Sequence, residues 1–280
     1  MSTFMYGANV YANGIRQHYL RFGGAHGPRN ARPAIVIVPG ITSPATTWAF
    51  VGERFGQHFD TYVQDVRGRG LSEASSSMDY SLDAQARDVI EFARALELQE
   101  YIIVGHSMGA RIGARAAASR PAGLARLVMV DPPVSGPGRR AYPSKLPWYV
   151  DSMALARKGC NAQDMKAFCP TWTDEQLQLR AEWLHTCDER AIIESFDGFH
   201  TDDIFADFPN VRVPVMLMTA ERGDVVLPAD VSEIEGLIDG LAHVRVADAG
   251  HMIPWDNEEG FYEAFGDFLG EPLTDARQSR

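Results

Sequence analysis

Cysteine is scarce in this 280-residue chain, and it has neither long apolar runs nor any surplus of positive charge. The three cysteines, Cys160, Cys169 and Cys187, are odd in number and lack the paired spacing of a metal site or disulfide framework, so free thiols and no bound metal are expected. No uninterrupted apolar stretch reaches the roughly 18 residues of a membrane-spanning helix. Met1-Ser2-Thr3-Phe4 opens without the charged and apolar regions of a secretion signal. The expectation is a soluble, cytoplasmic protein with no membrane partner. Lys and Arg number 26 against 37 Asp and Glu, a formal charge of −11. Without a broad basic surface to displace phosphate counterions, a nucleic-acid partner is not expected either.

What the chain does have is alternation. After a hairpin expected around Asn13-Gly14, short apolar runs suited to strands buried on both faces recur at Ala34 to Val38, Thr61 to Val66, Tyr101 to Val104, Leu127 to Val130, Val215 to Thr219 and Val244 to Ala247. Amphipathic helical patterns separate them. Residues 81–98 start at Ser81 as N-cap and turn Ala84, Val89, Phe92, Ala93 and Leu96 to one side, and residues 108–120 are rich in Ala and Gly. The pattern predicts an α/β protein with a mostly parallel central sheet of about eight strands and helices on both faces.

The alternation stops at Asp131 and resumes at Val213-Pro214. Prolines break the start of the intervening segment. A helix follows over 174–187, with Thr173 and Gln176 spaced as a capping box and Leu177, Ala181 and Leu184 as its apolar stripe. We read 133–208 as a helical cap inserted between two parts of one core, 1–132 and 209–280. The tail beyond Leu273 is expected to fray.

The most specific motif is Gly105-His106-Ser107-Met108-Gly109, set between the run Tyr101-Ile102-Ile103-Val104 and the small-residue helix. A Gly-x-Ser-x-Gly string arises by chance roughly 0.1 times in a chain this long. Its position gives it meaning: a strand turning sharply into a helix, a nucleophile elbow, lifts the serine hydroxyl above the sheet edge, and the glycines avoid the resulting clash. A serine hydroxyl attacks only when a base takes its proton. Of eight histidines, His251 stands out, because Ala249-Gly250-His251-Met252 follows the last expected strand. His106 adjoins the serine but points along the turn, and is read as structural.

Two aspartates could orient His251. Asp131 closes the strand after the elbow helix; Asp224 follows Val215 to Thr219 by a loop one residue longer than usual, with Gly223 at the expected acid position. Spacing alone leaves both open. Oxyanion stabilisation needs backbone N–H donors, for which Met108 and Ile41, in Pro39-Gly40-Ile41-Thr42, are the candidates. Basic residues cluster at Arg139, Arg140 and Lys145, where one could clamp a small anionic substrate, and Trp183, His185 and Trp148 are candidates for the pocket wall.

These marks together resemble the α/β-hydrolase family over the full length. Asp65-Val66-Arg67-Gly68-Arg69-Gly70-Leu71-Ser72 is similar to that family's structural Asp-x-Arg-Gly-x-Gly-x-Ser loop, while Pro39 departs from its usual His-Gly and leaves the backbone donor intact. Within the family, four segments resemble the deformylases that act on small N-formyl amides in bacterial nicotinate degradation: Pro39 to Pro44, DPPVSGPGRRAYPSKLPWYVDS at 131–152, RAEWLHTC at 180–187 and AGHMIPWD at 249–256. In those enzymes, and in a similar hydrolase of vitamin B6 catabolism, the triad acid follows the strand after the elbow helix, which implies Asp131. The resemblance implies hydrolysis of a carbon–nitrogen bond through Ser107, His251 and Asp131, with no cofactor. Esterase or carbon–carbon hydrolase chemistry on the same scaffold is the alternative, and a non-catalytic receptor is a further one.

Overall fold

The computed structural model describes residues 2–23 and 32–273; the tail beyond Leu273 lies outside the described residues. Its strands are β1 (Phe4–Ala12), β2 (Ile15–Phe22), β3 (Ala34–Val38), β4 (Thr61–Gln64), β5 (Tyr101–His106), β6 (Leu124–Val130), β7 (Val215–Ala220) and β8 (Ala242–Val246). They form one sheet in the order β1-β2-β4-β3-β5-β6-β7-β8. The first two strands make the expected hairpin, turning at Asn13 (φ 51°) and Gly14 (φ 75°), a two-residue turn whose twist matches the strands it joins. β2 runs antiparallel to β4, and from β4 to β8 every pairing is parallel.

Parallel strands need covering on both faces, and the pleat delivers alternate side chains to two cores. The helices are α1 (Ala49–Phe55), α2 (Leu82–Ala95), α3 (Met108–Ala118), α4 (Leu146–Arg157), α5 (Ala162–Met165), α6 (Asp174–Trp183), α7 (Glu189–Thr201), α8 (Pro228–Leu237), α9 (Ile253–Asp256) and α10 (Glu258–Glu263). Val36, Val38 and Leu127 pack with Val89 and Phe92 of α2 and Ile112 of α3. Ile35, Ile37 and Val128 face the other way, against Val51 and Phe55 of α1 and Phe261 of α10.

Helix ends follow local chemistry. Ser81 caps α2 by accepting from Ala84 N, and the helix stops short of the expected residue 98 because Glu97 takes a left-handed backbone (φ 55°). Thr173 and Gln176 form the reciprocal capping box of α6, which tightens into a 3-10 turn at Leu184–Thr186 instead of continuing to 187.

Helices α4 to α7 lie between β6 and β7. A buried arginine on the elbow helix ties this insertion down: Arg111 donates to the carbonyls of Pro133 (2.7 Å), Ser135 (3.0 Å), Gly198 (3.0 Å) and Asp202 (2.8 Å). Four carbonyl acceptors satisfy a cation that burial would otherwise penalise heavily. Among the described residues no helix is long and apolar enough to cross a membrane. The three cysteines are free thiols, and burial pushes that of Cys187 up to about 12.

Candidate active site

Between the end of β5 at His106 and the start of α3 at Met108 only Ser107 intervenes, so one residue must reverse the chain. Ser107 does this at φ 53° and ψ −118°, a region that L-residues rarely occupy and that costs on the order of 1–3 kcal/mol. The flanking glycines are sterically required. A β-carbon on Gly109 would lie 1.9 Å from the Val38 carbonyl oxygen, and one on Gly105 would lie 2.2 Å from that of Gly109.

The hydroxyl so presented meets a histidine from a distant part of the chain, which in turn meets an aspartate. Ser107 Oγ is 2.9 Å from His251 Nε2, and His251 Nδ1 is 2.7 Å from Asp131 Oδ2. Asp131 follows β6 directly, with its own left-handed backbone (φ 46°) held by donation from its N–H to Met218 O at 2.8 Å. The carboxylate is buried, which strengthens its hold on the imidazole. The other aspartate, Asp224, borders the same cavity, and its backbone carbonyl accepts from Arg140 at 2.9 Å. Of the two candidate acids, the structure brings Asp131 to His251.

His106 supports this arrangement from behind. Its Nε2 lies 2.9 Å from the His251 carbonyl oxygen, and burial lowers its pKa to about 3, so the neutral ring donates that bond. Tyr142 approaches from the insertion, its hydroxyl 3.4 Å from His251 Nε2. Burial raises its pKa well above the ordinary 10, which keeps it an O–H donor.

The loop after β3 abuts the serine: a β-carbon on Gly40 would be 3.5 Å from Ser107 Cβ, and the next residue, Ile41, lines the cavity. Arg69 fixes this loop by donating from Nε to the Ile41 carbonyl at 3.1 Å, while its other nitrogens reach Arg67 O, Ala191 O and Ser195 Oγ. Asp65 accepts from Ala45 N (2.6 Å) and Leu71 N (3.0 Å) and meets His18 Nδ1 at 2.7 Å. The 65–72 loop is thus a brace between the core and the loop after β3.

A cavity of about 460 Å³ opens over Ser107. Its size suits a small molecule. Several expected wall residues are elsewhere. Arg139 is paired with Glu233 through both guanidinium nitrogens (2.9 and 2.5 Å) and lies over the Phe205 ring; Arg140 is paired with Asp230 at 2.7 Å. Lys145 is exposed ahead of α4, His185 is exposed after α6, and neither these nor Trp183 borders the cavity. Trp148 does. The basic cluster read from sequence is therefore occupied by carboxylates or turned to solvent, and the arginine on the wall is Arg180 of α6. It lies outside the basic cluster, although the sequence carries a signal for it. Arg180 stands at the second position of the 177, 180, 181, 184 stripe, where an apolar residue belongs.

The chain belongs to the α/β-hydrolase fold family, whose match spans residues 33–258. It is 60% identical over 275 residues to the N-formylmaleamate deformylase of Pseudomonas putida, covering 98% of this chain and 100% of that protein. Among solved structures, an N-formylmaleamic acid deformylase from Pseudomonas putida superposes with a TM-score of 0.88 at 51% identity, over 93% of this chain and all (100%) of that one. An E-2-(acetamidomethylene)succinate hydrolase superposes with a TM-score of 0.75 at 22% identity over 96% of this chain and 100% of that chain, a likeness of fold alone.

Proposed function

We propose that this protein is an N-formylmaleamate deformylase that hydrolyses its substrate to maleamate and formate through Ser107, His251 and Asp131. The observation that carries the reading is the 60% identity with a deformylase over 98% of this chain, which extends through the inserted helices as well as the core. The Ser107–His251–Asp131 contacts supply a matching chemistry.

In this mechanism His251 takes the Ser107 proton as Oγ attacks the formyl carbonyl, and Asp131 holds the imidazole and stabilises the imidazolium that forms. The backbone N–H groups of Ile41 and Met108 receive the developing oxyanion, each worth on the order of 10²- to 10³-fold in rate. The carbon–nitrogen bond then breaks as His251 returns the proton to the departing nitrogen. Departure is easier than from a simple amide, because that nitrogen also carries the maleamate acyl group and can delocalise charge. Water, activated by His251, attacks the formyl-serine and releases formate. Residues 133–208 act as the cap that supplies Tyr142, Trp148, Trp172 and Arg180 to the cavity wall.

The test is direct. Incubation with N-formylmaleamate should release formate and maleamate in equal amounts, and quenching early in turnover should leave a formyl group on the peptide containing Ser107. Absence of formate release by the purified protein would overturn the proposal.

A further inference from the structure

The cavity wall contains one cation whose bonding is incomplete. Arg180 is 5% exposed, and its Nε has no hydrogen-bond partner. Its only side-chain hydrogen bonds among the described residues go to Thr42, from Nη1 to the carbonyl at 3.5 Å and from Nη2 to Oγ1 at 3.4 Å. Both are at the long limit for an N–H donor, where such bonds are weak. No carboxylate among the described residues lies within salt-bridge distance, in contrast to Arg139 and Arg140. The guanidinium lies instead over two indoles, its carbon 5.1 Å from the Trp148 ring centroid and 5.8 Å from that of Trp172.

A buried, unpaired cation is costly unless something completes it. The two aromatic rings recover part of that cost through their quadrupoles, and they restrain the planar fork. They cannot supply in-plane acceptors. A ligand carboxylate can, accepting two parallel N–H bonds from one edge of the guanidinium fork. The position is also suitable. Thr42, which Arg180 touches, is two residues from Gly40, where a β-carbon would lie 3.5 Å from Ser107 Cβ, and neighbouring residues are only about 3.8 Å apart. A ligand bridging Arg180 and Ser107 must be short.

We infer that Arg180, set against Trp148 and Trp172, is the residue that recognises the substrate carboxylate and so places the formyl carbonyl over Ser107. This rests on the deformylase reading of the same site. It assigns specificity to α6 and not to the basic segment 139–145. Recognition of this kind selects a short N-formyl amide with a carboxylate at its far end over its neutral counterpart.

The experiment compares N-formylmaleamate with its carboxamide analogue, in which the carboxylate is replaced by a neutral amide, and reads the ratio of their kcat/KM values. One bidentate, charge-assisted pair supports a preference on the order of 10- to 100-fold for the acid. Arg180→Gln should bring that ratio to about one, and Arg180→Lys, which keeps the charge without the fork, should leave an intermediate ratio. Loss of rate with the ratio preserved in both variants would assign Arg180 to packing and overturn the inference. Calorimetric titration with maleate, which needs no turnover, separates this from the function itself. Maleate should bind the wild-type protein and bind Arg180→Gln at least tenfold more weakly. Equal maleate affinity would sink the clamp even if formate is released, whereas a maleate clamp without formate release would sink only the deformylase reading.

Discussion

A β-carbon placed on Gly223 would lie 3.7 Å from Asp131 Oδ2, although one residue follows β7 and the other follows β6. Two loops on neighbouring strands thus converge on one carboxylate position beside His251. The space facing the histidine is filled from β6, and the β7 loop contributes a glycine there. Asp131→Asn should lower kcat on the order of 10⁴-fold, by analogy with a triad whose histidine loses its orienting carboxylate. Asp224→Asn should cost less than about tenfold if its carboxylate has no part in proton transfer. Adding Gly223→Asp to Asp131→Asn should restore part of the loss. Recovery should be incomplete, because the new β-carbon would meet Ala220 Cβ at 2.9 Å. Steady-state kinetics on the three variants decides this, and a larger loss in Asp224→Asn than in Asp131→Asn would reverse the assignment.

Ser107 gives a second prediction, in which activity and stability move in opposite directions. At φ 53° and ψ −118° its backbone is strained, and glycine relieves that strain. Ser107→Gly should therefore be inactive yet more resistant to denaturant, by about 1 kcal/mol. Ser107→Ala removes the nucleophile without relieving the backbone and should show no such gain. Urea unfolding of the three proteins side by side reads the difference; equal midpoints would mean that the surrounding structure carries no strain at the elbow.

The fold was legible because its signals are local. β3 occupies the expected residues 34–38 at both ends, the elbow follows β5, and the capping box at Thr173 marks the start of α6. The substrate wall was less legible because it depends on which charges find partners. Arg139 and Arg140 looked available in sequence, but Glu233 and Asp230 come to them from α8, about ninety positions away. Arg180 interrupts the apolar stripe of α6, but only folding leaves it with no carboxylate at salt-bridge distance among the described residues. Asp131 and Asp224 could not be separated by spacing, since the distinction lies in how the β6 and β7 loops turn.

Tyr142 is the insertion's contribution nearest the reacting atoms. Its hydroxyl is 3.4 Å from both His251 Nε2 and the Tyr149 hydroxyl, and burial keeps it protonated. This places an O–H donor beside the Ser107–His251 pair. Tyr142→Phe should lower kcat by roughly tenfold, the value of one hydrogen bond that strengthens as charge develops, with a smaller change in KM. A rise in KM alone, with kcat unchanged, would restrict the hydroxyl to ground-state binding.

His106 makes acid stability a further test. Burial, with the nearby His251 imidazole adding to it, lowers its pKa from the ordinary 6.5 to about 3 in the folded chain. Between those values the unfolded chain binds a proton that the folded one does not, so stability is lost as pH falls through 6.5 toward 3. From about pH 7 to about pH 5 this one group should cost about 2 kcal/mol. His106→Gln can keep an N–H donor for the His251 carbonyl but cannot titrate. It should be less stable than the wild type near neutrality, owing to lost packing against Trp48, whose ring centroid is 5.3 Å from that of His106. Its deficit should shrink by about 2 kcal/mol on acidification over the same range, because the other titrating groups are shared by both proteins. Chemical denaturation at the two pH values measures this directly, and a deficit that stays constant would show that His106 takes up its proton in the folded state.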